Sequence, residues 1–250
     1  MNNPYLRKAL DPIYSQLTTL KKTINNWFSF YRAYNYFKKE LSHKVKLKLM
    51  PVIGENTIET TFDRHYIYFP SWAIRTIIKY KPIRHVDISS SLIFSTMLSA
   101  VVPTSFYDYR PAKIHLSGLK IGEADLINLP FSNNSIESIS CMHVIEHVGL
   151  GRYGDPIDTN GDLRAMRELS RVLKKRGNLL VVVPVGIKAI YFNAHRVYSH
   201  ADVLHGFKSL KLKEFSLIKG AGGEGIIQNA NPKIVAKETF GCGCYWFIKE

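Results

Sequence analysis

Three aspartates stand at the carboxyl ends of short apolar runs: Asp87 in HVDI, Asp108 in SFYDY and Asp125 in EADLINLP. Asp108 lies 21 positions beyond Asp87. That is close to the roughly 20 residues that separate a nucleotide-binding loop from the acid on the ribose hydroxyls. A carboxylate accepts two hydrogen bonds and so suits a cis-diol, and Asp125 can reach an adenine amino group. Directly after Asp87 and Ile88 come Ser89, Ser90 and Ser91, where such a loop normally carries glycines. A glycine there allows positive φ and close approach of backbone to ligand. A serine forced into left-handed geometry costs about 1–2 kcal/mol, and its Cβ crowds the ligand. In ordinary geometry it costs nothing and offers a hydroxyl. The residues alone leave both readings open.

A second chemical stretch is GLGRYGDPID at 149–158, in which three glycines and a proline display Arg152, Tyr153, Asp155 and Asp158. As a substrate loop it offers a cation for phosphate, an aromatic for a sugar face and carboxylates for hydroxyls. As plain structure, Asp155 and Asp158 cap turns and the helix that follows. The three cysteines, Cys141, Cys242 and Cys244, are too few and too odd in number for a disulfide framework. Cys242-Gly-Cys244 lacks metal-ligand spacing, and nothing near it in sequence completes four ligands, so no metal is expected. Gly220–Gly225 lacks the Lys-Ser/Thr of a phosphate loop and reads as a flexible loop. His43, His65, His85, His115, His200 and His205 share no spacing and read as structural or solvated.

These residues need a scaffold. Residues 12–42 have helical apolar spacing, Ser71 reads as the cap of a helix holding Trp72, Ile74, Ile77 and Ile78, and Pro82 ends it. His85–Ile88 follows as a strand, then a helix at Leu92–Val102 that any of the three serines can cap, and strands at Ser105–Tyr109 and Ile136–Met142. Asp162–Leu173 is an amphipathic helix, with Lys174, Lys175 and Arg176 at the negative end of its dipole and Gly177 as its C-cap. Leu179–Pro184 is the unbroken apolar run of a parallel strand buried on both faces. Ser209–Ile218 and Cys244–Ile248 read as a closing antiparallel pair. Alternating strands and helices define an α/β layered fold with a mostly parallel sheet, whose ligand sits beyond the carboxyl ends of the strands at the switch point.

The chain has 250 residues, 46% of them hydrophobic, and a net charge of +14. No apolar run approaches the length of a membrane span, and the N-terminus lacks a signal-peptide core. With the sparse cysteines this points to the cytoplasm. Residues 1–50 hold ten Lys and Arg against Asp11 and Glu40, interleaved with Trp27, Phe28, Phe30, Tyr31, Tyr34, Tyr36 and Phe37. We divide the chain there: a basic, aromatic helical extension at 1–50 and one α/β domain at 51–250. The extension suits packing on that domain, an anionic membrane surface or, less well, nucleic acid. Oligomeric state is not legible.

HVDISSS, FYDYRP, EADLINLPFSNNSIESISCMHVIEHV and RVLKKRGNLLVVVP, in that order, resemble the motifs of class I S-adenosylmethionine-dependent methyltransferases. GLGRYGDPID and FNAHRVYS at 192–199 resemble a narrower methyltransferase-like family, filed as a domain of unknown function and met among surface-polysaccharide genes. Its first loop normally reads Asp-Ile-Gly-Ser, and Ser89 takes the glycine's place. The resemblance implies a Rossmann-like fold and S-adenosylmethionine as cofactor, with Asp87 and the Ser89–Ser91 loop on its methionine side, Asp108 on the ribose, Asp125 and Leu126 at the adenine, and His143 beside the methyl donor. Transfer to oxygen or nitrogen needs a base; His147, His195 and Asp155 are the candidates. Arg152, Tyr153, Asp158 and Arg196 would then bind an acceptor on a sugar, nucleotide sugar or glycan intermediate, with or without phosphate. A membrane-linked glycan would bring the extension to the inner face of the membrane. The alternative is a degenerate methyltransferase fold acting as a binding or scaffold module. A nucleic-acid methyltransferase is a weaker third reading, since no base-flipping motif is present.

Overall fold

A computed structural model describes residues 4–42, 45–223 and 225–250, with side chains from residue 16 on. His43 and Lys44, the side chains of Arg7, Lys8 and Asp11, and Glu224 of the expected flexible loop lie outside the described residues. The chain divides into two compact units, Met1–Thr61 and Phe62–Glu250. In the first, α1 (Pro4–Glu40) is a single helix of 37 residues. Trp27 stacks on Tyr31 and Phe30 stacks on Tyr34 along it.

The second unit opens with α2 (Arg64–Tyr80), capped by the Asp63 side chain, which accepts from Tyr66 N–H. The cap expected at Ser71 is therefore wrong: the helix starts about two turns earlier and runs through Pro70. Pro70 forfeits one helical hydrogen bond, but Phe69, Trp72, Ala73, Thr76 and Ile77 are buried on the same face, and that burial holds the helix together. Then come β1 (His85–Ile88), α3 (Leu92–Leu98), β2 (Thr104–Asp108), β3 (Leu119–Glu123), β4 (Ile136–Met142), α4 (Gly161–Val172) and β5 (Leu173–Val185). The hairpin β6 (Ala189–Tyr191) and β7 (His195–Val197) follows, then α5 (His200–Gly206), β8 (Lys211–Ile218) and β9 (Gly241–Ile248).

The main sheet runs β3-β2-β1-β4-β5-β9-β8. The first five strands are parallel, and β9 lies antiparallel between β5 and β8. This is the mixed α/β sheet with an antiparallel closing strand that the sequence implies. Other boundaries differ too: α3 stops at Leu98, short of the expected Val102. α4 passes straight into β5 at Leu173, so Lys174–Gly177 belong to the strand and Gly177 is not a C-cap. The bend is made instead by Arg176, at φ +61, whose N–H donates to Lys249 O. A Cβ on Gly177 would meet Lys174 O at 2.8 Å.

Strand order reverses between β1 and β4, which makes the gap between their carboxyl ends the switch point. Every residue of β1 is buried, including two that carry charge or polarity. Here the sheet hides a polar chain. Tyr80 O–H and Ser138 Oγ lie 3.0 Å apart, and Ser138 Oγ meets His85 Nδ1 at 2.5 Å. His85 Nε2 meets Ser140 Oγ at 2.8 Å. Ser140 and Ser95 both donate to the Asp87 carboxylate. With Ser140 donating to Asp87, His85 must donate from Nε2 and accept at Nδ1, so one orientation satisfies the whole chain. Burial pushes His85 down to about 3, which keeps the ring neutral as that pattern demands.

Candidate active site

Two adjoining cavities open at the switch point. The first, about 320 Å³, is lined by Asp108, Asp125, Leu126, Ile127, Val144 and the 149–158 loop. The second, about 400 Å³, is a polar chamber lined by His65, His143, Glu146, His147, His195 and Ser89–Ser91. Ser89, His143, His147 and Tyr153 line both.

The partition is built from two strained residues. Ser89 follows β1 at φ +54 and His143 follows β4 at φ +57. This decides the open question about the loop, since Ser89 does adopt the left-handed geometry. Its N–H and its Oγ both donate to Tyr107 O, which tethers the turn to β2. Ser90 Oγ accepts from Met142 N–H, tethering it to β4. Ser91 lines the chamber but makes no side-chain cap on α3.

Several residues expected at a ligand turn out to be spent inside the protein. Asp87 lines neither cavity. It is fully buried with its oxygens on Ser95 and Ser140, and burial lifts it to about 6 against the pull of those hydroxyls. Asp155 lines the first cavity, but its carboxylate accepts the N–H groups of Gly149, Gly151 and Tyr153. It staples the loop and is not free for proton transfer. Arg196 is 5% exposed. It donates to the Glu146, Val148 and Asp158 carbonyls and pairs with Asp162 at 3.5 Å, a strut beneath the site rather than a substrate contact. Asp158 pairs with Arg164 at 3.1 Å and accepts from Asn160 N–H; these bonds hold its carboxyl below the ordinary carboxylate range.

The others converge. Asp108 and Asp125 line the first cavity beside buried Leu126, each accepting a loop N–H, from Arg110 and Ile127 respectively. An apolar slot between two acids fits a nucleoside. The His147 Nδ1–H donates to Ala194 O at 2.6 Å; Nε2 is left as the acceptor, 3.9 Å from Glu146 Oε1. His195 enters the same chamber on β7, where burial lowers its pKa. Tyr153 carries Arg110 at 4.7 Å and Arg152 at 5.2 Å over its ring.

Sequence reasoning missed Glu146, His65, Tyr66 and Phe240, all on the chamber wall. Glu146 is 1% exposed, and its Oε1 receives His143 Nδ1–H at 2.8 Å. Burial lowers His65 to about 4. No spacing signal ties α2 to the end of β4; only the fold joins them.

Residues 126–216 match the model of a family described as Caenorhabditis protein of unknown function. An uncharacterised protein of Methanocaldococcus jannaschii, MJ0638, is 28% identical over 94 residues, 38% of this chain. The match spans only 34% of that protein's length. Among solved structures, the N-methyltransferase NodS of Bradyrhizobium japonicum, bound to S-adenosylhomocysteine, superposes with a TM-score of 0.51 at 13% identity, covering 72% of this chain and 85% of NodS. A candidate sarcosine dimethylglycine methyltransferase of Galdieria sulphuraria gives 0.51 at 11%, with the same 72% and 85% covered. The chain has the fold of these class I methyltransferases.

Proposed function

We propose that residues 62–250 form an S-adenosylmethionine-dependent methyltransferase, the first cavity taking the cofactor and the histidine chamber the acceptor. One observation carries the reading: two acids flank an apolar slot at the switch point, and that slot shares a wall with a chamber holding a tautomer-fixed histidine. Asp108 would hold the ribose, Asp125 and Leu126 the adenine, and the 89–91 loop the methionine end, which Asp87 does not reach. When bound, the cofactor supplies an electrophilic methyl group. The protein's part is alignment and proton removal. His147 Nε2 takes the acceptor proton, since Nδ1 already donates to Ala194 O. Glu146, 3.9 Å away, stabilises the imidazolium that results. His195 flanks the acceptor.

For the acceptor we infer a hydroxyl or amine on a sugar, nucleotide sugar or glycan intermediate. Tyr153 with Arg110 and Arg152 close to its ring supports this, as an aromatic beside cations suits a phosphorylated sugar. A cytoplasmic enzyme whose basic extension meets the anionic inner face of a membrane follows from the same reading. Among the described residues, no helix is long and apolar enough to cross one.

The test is transfer of labelled methyl from S-adenosylmethionine to phosphorylated sugars and nucleotide sugars. His147→Gln should lower kcat about 10²–10⁴-fold with little change in KM for the cofactor; unchanged kcat would remove His147 as the base. The sealed Asp87 and left-handed Ser89 favour one other reading, a binding module with this fold and no transfer.

A further inference from the structure

We propose that His65, His143 and Cys242 form a transition-metal site, zinc by its ligand set, whose fourth position faces the histidine chamber. The inference does not rest on methyl transfer. His65 lies in the first turn of α2, His143 directly after β4 and Cys242 at the start of β9. One ligand atom from each falls within 4.8 Å of the other two. Bonds of about 2.3 Å to sulfur and 2.0–2.1 Å to nitrogen set tetrahedral ligand atoms roughly 3.3–3.6 Å apart. His143 Nε2 and Cys242 Sγ are already 3.5 Å apart. The His65 ligand atom lies within 4.8 Å of both, and its ring nitrogens have no hydrogen-bond partner among the described residues.

The surroundings are those of a metal ligand rather than of a plain hydrogen bond. His143 donates Nδ1–H to Glu146 at 2.8 Å, which leaves Nε2 bare toward the sulfur. That is the carboxylate–histidine–metal pattern. Glu146 adds an independent sign of a cation. Its Oε2 is buried with no hydrogen-bond partner among the described residues, an expensive state for a carboxylate without further compensation. A divalent ion with one thiolate and one carboxylate brings the charge of the cluster to zero. Phe69, Tyr66 and Phe240 pack round the histidine rings at 5.2–5.6 Å. His65 and His143 also line the chamber, so a ligand in the fourth position would lie next to His147. The cysteine pair missed by spacing rules thus gains its partners from distant segments, and only one of the two cysteines takes part.

The experiment is titration of the full chain, reduced and stripped with chelator, with cobalt(II) and then zinc(II). One equivalent of cobalt should bind with a thiolate-to-cobalt charge-transfer band and the intense visible bands of tetrahedral coordination, and zinc should displace it. Cys242→Ser should abolish the charge-transfer band, and Glu146→Gln should weaken binding about 10–100-fold. The band should survive when Cys141 and Cys244 are both replaced by serine, a variant that leaves the site whole if Cys242→Ser fails to fold. Absence of the band in the folded wild-type chain, or its survival in Cys242→Ser, would overturn the site. Either result leaves cofactor binding in the first cavity as a separate question.

Discussion

Ser89 and His143 are where the backbone leaves β1 and β4, and both do so at positive φ. Two left-handed non-glycine residues facing each other across a switch point mark a place where the fold accepts strain. Ser89→Gly should therefore raise stability by roughly 0.5–1 kcal/mol, the strain relieved less the lost bond to Tyr107 O and the added chain entropy. It should also tighten S-adenosylhomocysteine several-fold by removing a Cβ from the cavity wall. Urea denaturation and calorimetry check both parts; a looser complex would mean that the serine itself contacts the ligand. A second residue-scale prediction concerns pH. His85 titrates near 3 in the fold against an ordinary 6.5, so its stabilisation is present above 6.5 and is lost as pH falls. The stability margin of wild type over His85→Gln should shrink by about 1.4 kcal/mol per pH unit below 6.5. A margin independent of pH would refute the buried neutral ring. At this scale the sequence was legible for Asp108, Asp125 and Leu126, which follow strand ends and line the cavity. It misled at Asp87, Asp155 and Arg196, because residue type does not say whether a charge is already spent on its own neighbours.

The loop at 149–158 shows what an element adds. Gly149, at φ +80, would place a Cβ 2.1 Å from Asp158 O, so the loop closes only around glycine. Asp155 then ties three of its N–H groups together. Asp155→Ala should cost about 2 kcal/mol by leaving those donors unpaired and should weaken acceptor turnover more than S-adenosylhomocysteine binding. Equal loss of both would place the aspartate at the cofactor. The cores of the elements were readable from periodicity: β1 and β4 coincide with the expected runs. Their ends were less so. The start of α2 and the passage from α4 to β5 are set by burial of Phe69 and by the contact of Arg176 with Lys249, neither of which has a local signature.

At the scale of the molecule, β1 and β4 are neighbours although 47 residues separate the end of one from the start of the other. That pairing brings together the two strained turns at Ser89 and His143, and the acids after β2 and β3 and the histidines of α2 and β7 gather round them. The layered α/β fold could be read from the alternation of strands and helices. The chamber could not, since its wall joins α2, the end of β4, β7 and the segment before β9. Everything at this scale turns on the first cavity being a cofactor site. Calorimetric titration of the purified chain with S-adenosylhomocysteine tests it most directly. We expect micromolar binding at one equivalent, weakened at least about tenfold, or roughly 1.4 kcal/mol, in Asp108→Ala and unchanged in His147→Gln. No binding up to millimolar ligand by a folded chain, or binding indifferent to Asp108, would contradict it.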